Sequence, residues 1–247
     1  MPDHTNSVAI LPARDEALSV FNVVTSLLGL IDDNGSEIFS RVIVCDNGSS
    51  DKTSQLALEA GATVVHEPIA GYGAACLKGL AAIDNADTVV FVDADGSVDT
   101  NDIVPMLAEI ENGADLVIGN RVPDLRETDS MTPAQIMGTR LICSIINVIW
   151  RQNFHDTGPL RAIRYSSLGQ LDMQDRRFGW TVEMQVKAVL NGLVIREIPV
   201  RCLCRKGRSK ISGTTMGVVR AGWGMLSTIV KLSARPKDKP KTARNVN

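Results

Sequence analysis

Apolar residues in the first half of the chain fall into short continuous runs, separated by stretches where they recur at helical spacing. The runs are Val8-Ala9-Ile10-Leu11, Val42-Ile43-Val44, Ala62-Thr63-Val64-Val65, Val89-Val90-Phe91-Val92 and Leu116-Val117-Ile118. Each is too short for a helix and is bounded by turn residues, so each predicts a buried strand. Residues 16–30, 51–60, 73–83 and 101–111 predict the intervening helices, with Ser50 or Asp51 capping the second and Gly61 closing it. Strand and helix alternating to residue 119 predict an α/β domain with a mainly parallel sheet covered on both faces. Ligands of such sheets bind beyond the carboxyl ends of the strands. Residues 12–16, 46–49 and 93–95 all fall at such ends.

The second half is less regular. The pattern predicts a helix over 132–150, a short strand over 159–164, a helix over 181–191 and a strand over 193–200. Residues 215–232 predict an amphipathic C-terminal helix, with Val218, Gly222, Met225, Leu226 and Ile229 on one side and Arg220, Ser227 and Lys231 on another. The apolar stretches 141–150 and 221–230 fall well short of the ~20 residues that span a bilayer, so they read as core or interfacial helices.

Composition changes the picture only through charge. A hydrophobic fraction of 44% and a charged fraction of 22% exclude a disordered chain. The net charge of -2 hides an asymmetry: from residue 196 onward there are 13 Lys+Arg and 2 Asp+Glu. A basic C-terminal segment on an acidic body calls for an anionic partner: nucleic acid, a phosphate-bearing lipid or an anionic membrane surface. A solvated basic tail accounts equally well for residues 237–244. Five cysteines without a CxxC pattern, and an N-terminus unlike a signal peptide, predict reduced thiols in a cytoplasmic protein and argue against a zinc site.

Four segments carry candidate chemistry. Asp93-Ala94-Asp95 leaves an apolar strand, and two carboxylates so spaced can converge on one hard cation such as Mg²⁺ or Mn²⁺. Asp46, in Asp46-Asn47-Gly48-Ser49-Ser50-Asp51, can accept hydrogen bonds from a nucleobase, or it can serve a turn. Gly71-Tyr72-Gly73 weakly mimics a dinucleotide fingerprint but does not follow the first strand, which excludes a nicotinamide cofactor. Arg205-Lys206-Gly207-Arg208-Ser209-Lys210 suits phosphate, or is an exposed basic turn.

These segments, together with Pro12-Ala13-Arg14-Asp15-Glu16, Gly119-Asn120-Arg121 and Asp156-Thr157-Gly158-Pro159-Leu160-Arg161-Ala162, occur in an order that resembles glycosyltransferase family 2. The branch it looks most like is the dolichyl-phosphate mannose/glucose synthases, the polyprenyl-phosphate glycosyltransferases. The resemblance spans roughly residues 7–232. It implies a GT-A fold, a nucleotide-sugar donor, a divalent cation and inversion at the anomeric carbon. It implies one domain over 1–232, with a nucleotide-binding half 7–121 and an acceptor-binding half 122–232, followed by a basic disordered tail 233–247.

Residue by residue, it implies that Pro12, Ala13 and Glu16 line the nucleoside pocket and Asp46 binds the base. Asp93 and Asp95 would hold the metal and the diphosphate, with Asp95 catalytic. Arg121, Arg205, Arg208, Ser209 and Lys210 would meet donor and acceptor phosphates. Glu183 would lie near the sugar or acceptor, and Glu183, then Asp156, are the candidate bases if the acceptor is a hydroxyl. The chain departs from the family pattern at Arg14-Asp15 (commonly Tyr-Asn), at Asn47 (often Asp) and at Ser97 (often Gln). The expected partners are a nucleotide sugar and a lipid phosphate, with an anionic inner membrane face and no nucleic acid. The competing readings are transfer to a glycan or small-molecule hydroxyl, a sugar nucleotidyltransferase (which would carry a Gly-rich basic loop after its first strand), and a nucleotide-sugar-binding protein without catalysis.

Overall fold

The five apolar runs become strands of one sheet: β1 (Ser7–Ala13), β2 (Phe39–Asp46), β3 (Thr63–His66), β4 (Thr88–Phe91) and β5 (Leu116–Asn120). The second half adds β6 (Arg161–Arg164) and β7 (Ile195–Pro199). The helices in chain order are α1 (Val20–Leu28), α2 (Thr53–Glu59), α3 (Tyr72–Leu80), α4 (Ile103–Glu111), α5 (Pro133–Trp150), α6 (Tyr165–Leu171), α7 (Trp180–Leu190) and α8 (Thr215–Ser233). This computed structural model describes residues 6–32, 34–207 and 215–234. Arg208, Ser209 and Lys210, and residues 235–247 of the expected tail, lie outside the described residues.

The strand order is β3-β2-β1-β4-β6-β5-β7. β6 pairs antiparallel with both β4 and β5, and every other pairing is parallel. The sheet is therefore mixed, with one reversed strand in its interior. Because successive strand residues face opposite sides, each apolar run feeds two cores. Ala9, Leu11, Val42, Val44, Val90 and Val92 pack with α1, α2 and α4. Val8, Ile10, Ile43, Val89, Phe91, Leu116 and Ile118 pack with α3 and α5 to α8.

The strand order sets the position of the site. Connections from β1 run outward through β2 to β3, and α3 then carries the chain back across to β4 on the other side of β1. This leaves a switch point between β1 and β4, where loops diverge and a ligand crevice opens. β6 begins at the same edge of the sheet, since Arg161 pairs with Phe91 and Ile118. Its reversal is what delivers residues 156–161 to the crevice.

Several boundaries differ from the sequence expectation. Lys52, rather than Ser50 or Asp51, precedes α2, and no side chain caps it there, although Asp51 Oδ1 accepts the Thr53 amide at 3.0 Å. α6 is an element the apolar spacing does not predict, because its seven residues are too few to establish a period. α5 starts as expected, with Thr132 and Gln135 forming a reciprocal capping box. α7 is buried nearly all round, so its polar side chains must find partners inside the protein.

The N-terminus of α3 is wedged against the loop before α7. A Cβ on Gly73 would lie 2.0 Å from the Asp175 carbonyl oxygen. Gly73→Ala is expected to cost about 1–3 kcal/mol through overpacking and to lower Tm by several degrees. Gly138→Ala in α5 meets nothing within 4 Å and is expected to leave Tm unchanged or raise it. Thermal denaturation of the two variants checks the contrast.

Candidate active site

The loop after β1 is laced to the loop after β2. Asp15 adopts a left-handed backbone, φ 51, a conformation that Asp tolerates better than most residues. Its Oδ1 accepts the Ser50 amide at 2.5 Å and the Ser50 hydroxyl at 2.9 Å, while its own amide donates to Ser49 Oγ at 2.8 Å. The Glu16 amide donates to Thr53 Oγ1 at 2.7 Å, and the Ala17 amide to Asp51 Oδ2 at 3.2 Å. These bonds hold Pro12, Ala13 and Glu16 beside Asp46 in one wall of the crevice.

Asp46 is buried. It accepts the Ser49 amide at 2.9 Å and the Ser54 hydroxyl at 2.5 Å, and His66 Nδ1 lies 3.5 Å away. Burial alone would raise its pKa, but the Ser49 and Ser54 hydrogen bonds outweigh burial and hold it below the usual carboxylate range. Asn47, where the family pattern often has Asp, is a clamp. Its amide donates to the carbonyls of Glu67 and Ile69 at 2.9 and 2.8 Å, and its Oδ1 accepts the Gly71 amide at 2.7 Å. An Asp there could not make the two donations.

Asp93 and Asp95 follow β4 directly. Asp93 Oδ1 is sealed from solvent without a hydrogen-bond partner. Burial, and then the neighbouring Asp95 charge, push the Asp93 carboxyl up to about 7 against the pull of Tyr72, Arg121 and Arg205. Asp95 Oδ1 accepts the Ser97 amide at 2.9 Å, so Ser97 acts through its backbone. Arg205 Nη2 lies 2.9 Å from Glu16 Oε1, and its Nη1 lies 3.5 Å from Asp95 Oδ2. The Lys206 amide donates to the Asp95 carbonyl at 3.0 Å, which draws the 205–207 segment onto the site.

The carboxylate chemistry fits a divalent cation. Two like charges side by side, one with an open inner oxygen, are relieved by a hard metal ion. Among the described residues no group of three or more His, Cys, Asp or Glu could hold an ion. Such a pair therefore needs phosphate or water oxygens to complete the coordination shell.

Asp156 and Arg121 are committed to each other, and Glu183 to Lys187. Asp156 accepts three hydrogen bonds from Arg121: from the amide at 2.9 Å, Nε at 2.8 Å and Nη2 at 2.7 Å. Burial would raise the Asp156 pKa, but Arg121 outweighs it and lowers it. Glu183 is buried and pairs with Lys187 Nζ at 2.7 Å. It also accepts the Asp175 amide at 2.7 Å and the Gln174 amide at 3.1 Å. Glu183 thus ties the loop before α7 in place.

Arg161 and Tyr72 belong to this region without having been expected in it. Arg161 is 1% exposed. It donates to the carbonyls of Gly158 and Thr181 at 2.9 and 2.7 Å and to Gln185 Oε1 at 2.9 Å, and no carboxylate lies within ion-pair reach among the described residues. Burial pulls its pKa down to about 10. The sequence signal was present: a lone cation inside an apolar strand flanked by Leu160 and Ala162.

Comparison with known proteins places the chain in a family. Residues 8–171 match the model for glycosyl transferase family 2, and the chain belongs to that family. An uncharacterized glycosyltransferase of Mycobacterium tuberculosis is 37% identical over 182 residues, covering 73% of this chain and 82% of that protein. A dolichyl-phosphate hexose transferase of Haloferax volcanii is 28% identical over 170 residues, covering 68% of this chain and 73% of its own length. The crystal structure of glucosyl-3-phosphoglycerate synthase from M. tuberculosis, in complex with Mn²⁺, UDP and glucosyl-3-phosphoglycerate, superposes with a TM-score of 0.73 at 20% identity. That likeness covers 94% of this chain and 81% of the synthase, and it shows that the two share a fold.

The Asp93 shift has a measurable sign. Its carboxyl titrates near 7 in the folded chain and near 3.9 when unfolded. The folded state therefore holds a proton that the unfolded state has lost between about pH 4 and 7, and apoprotein stability falls as pH rises through that window. A proton on Asp93 competes with a metal ion. Mn²⁺ affinity, followed by electron paramagnetic resonance of the free ion, is expected to rise by up to about tenfold per pH unit toward 7 and then level off. Asp93→Asn is expected to remove this pH dependence and to raise the metal-free Tm at pH 8. Affinity that stays flat between pH 5.5 and 7.5 would contradict the assignment.

Proposed function

We propose that this chain transfers a hexose, with inversion at the anomeric carbon, from a UDP- or GDP-linked sugar to a polyprenyl or dolichyl phosphate. The observation that carries the acceptor half is the state of the two candidate bases. Glu183 is sealed against Lys187, and Asp156 is chelated by Arg121. A hydroxyl acceptor needs a free base within hydrogen-bond reach. A phosphate acceptor does not, because a phosphate monoester loses its second proton near pH 6. The name of the H. volcanii dolichyl-phosphate hexose transferase supports the same reading.

In this reading Pro12, Ala13, Glu16 and Asp46 receive the nucleoside, and Asp93 and Asp95 would hold Mg²⁺ or Mn²⁺. When bound, the cation neutralises charge on the departing diphosphate. Arg205 stands between Glu16 and Asp95, where it can swing from protein carboxylates to donor or acceptor phosphates. Arg208, Ser209 and Lys210, outside the described residues, would supply further phosphate-binding groups. Arg121, held by Asp156, orients charge without spending flexibility. Catalysis then rests on positioning and charge stabilisation.

Two features support attachment to an anionic membrane surface from the cytoplasmic side. Met137, Leu141 and Val148 on α5, and Trp223 and Val230 on α8, are exposed apolar side chains. The segment from residue 196 onward supplies 13 cationic residues against 2 acidic ones. No helix among the described residues is long and apolar enough to cross a membrane.

The decisive experiment incubates the chain with UDP- and GDP-hexoses, Mg²⁺ or Mn²⁺, and polyprenyl phosphate, and looks for glycosyl-lipid. A parallel arm offers phosphoglycerate, the acceptor type bound by the structural neighbour. Glycosyl-lipid in the first arm supports the proposal, and transfer only in the second redirects it to a hydroxyl acceptor. Asp95→Ala is expected to abolish transfer while circular dichroism and Tm remain near those of the unmodified chain. Near-native activity in that variant would refute the role given to Asp95.

A further inference from the structure

Tyr72 opens α3 between two glycines, and its position is imposed by their surroundings. A Cβ on Gly71 would lie 2.0 Å from the Arg176 carbonyl oxygen, and one on Gly73 would lie 2.0 Å from that of Asp175. The Gly73 and Ala74 amides donate to the carbonyls of Arg177 and Arg176 at 3.1 and 2.9 Å. The backbone so held carries a phenol whose hydroxyl is buried and stands short of a formed hydrogen bond. Asp93 Oδ1 is buried and open in the same way. The two groups face each other closely enough for the phenol to favour the Asp93 carboxylate by hydrogen bonding, and the charge of Arg161 acts on the same phenol. A donor and an acceptor, both dry and both open side by side, form an arrangement that interiors rarely retain without a use for it.

We propose that Tyr72 is a positioning residue for the metal site. Its hydroxyl donates to the inner oxygen of Asp93 when that carboxylate is committed to a divalent cation. The bond would fix the plane of the carboxyl group that is presented to the ion. Partners that orient a metal ligand in this way commonly matter about 10- to 100-fold in metal affinity. The inference rests on the reading of Asp93 and Asp95 as the cation pair.

The test is Mn²⁺ titration of the full chain and of Tyr72→Phe, in the presence of UDP or GDP, together with the Tm of both metal-free proteins. The expected result is Mn²⁺ affinity weakened by about tenfold or more in Tyr72→Phe. The metal-free Tm is expected to be unchanged or raised, because the hydroxyl has no partner to lose there. A purely structural tyrosine would give the opposite pattern: a lowered metal-free Tm and unchanged affinity. Equal affinity in the two chains overturns this inference alone. Absence of Mn²⁺ binding by the unmodified chain with either nucleotide overturns the two-carboxylate reading and the inference with it.

Discussion

Two carboxylates set side by side at the carboxyl end of β4 repel each other, the more so because Asp93 is drawn into the interior, and that end of the sheet between β1 and β4 is organised around the repulsion. Asp93 and Asp95 stand where the order of the connections reverses, and the cations that bear on them are Arg121 and Arg205, the second shared with Glu16. The site is therefore under-neutralised as it stands. A divalent ion and an anionic diphosphate restore balance together better than either does alone, because each supplies what the other lacks. Burial first, and this imbalance second, set the direction of the Asp93 shift, and the Asp95 carboxylate and carbonyl draw residues 205–207 onto the site.

The buried ion pairs around the crevice do different work. Arg121–Asp156 and Glu183–Lys187 are sealed and satisfied, and breaking one partner of such a pair leaves a charge stranded in the interior. They hold a shape. Arg161 differs from both, because its neutral partners leave its charge uncancelled beneath the site. Arg121 also acts at a distance on Asp93, and Arg161 on Tyr72, so buried cations bear on the site from two sides.

The strand–helix alternation, and the position of the acidic pair at a strand end, were legible in the chain because continuous apolar runs such as Val89-Val90-Phe91-Val92 have few other readings. The reversed placement of β6 was not legible. Its four residues resemble any short strand, and its neighbours are chosen by tertiary packing rather than by local pattern. The family resemblance pointed to Asp46, Asp93 and Asp95, but whether a carboxylate is free or spent depends on contacts far apart in sequence. Glu183 looked available until Lys187 and the Gln174 and Asp175 amides enclosed it. Asp15 and Asn47 depart from the family pattern, and in the structure each departure is answered by a local set of hydrogen bonds.

The interior position of β6 also bears on how the chain is assembled. β5 leaves the synthesis machinery soon after β4, yet the two are not neighbours, and the space between them stays empty until residues 161–164 arrive. A fragment ending near residue 121 would carry β5 with no strand to dock against and β4 with one raw edge. Residues 7–121 and 122–232 are thus not modules that could be exchanged or folded separately. They share one hydrogen-bonded ladder, and the strand that closes it also carries the crevice its buried charge.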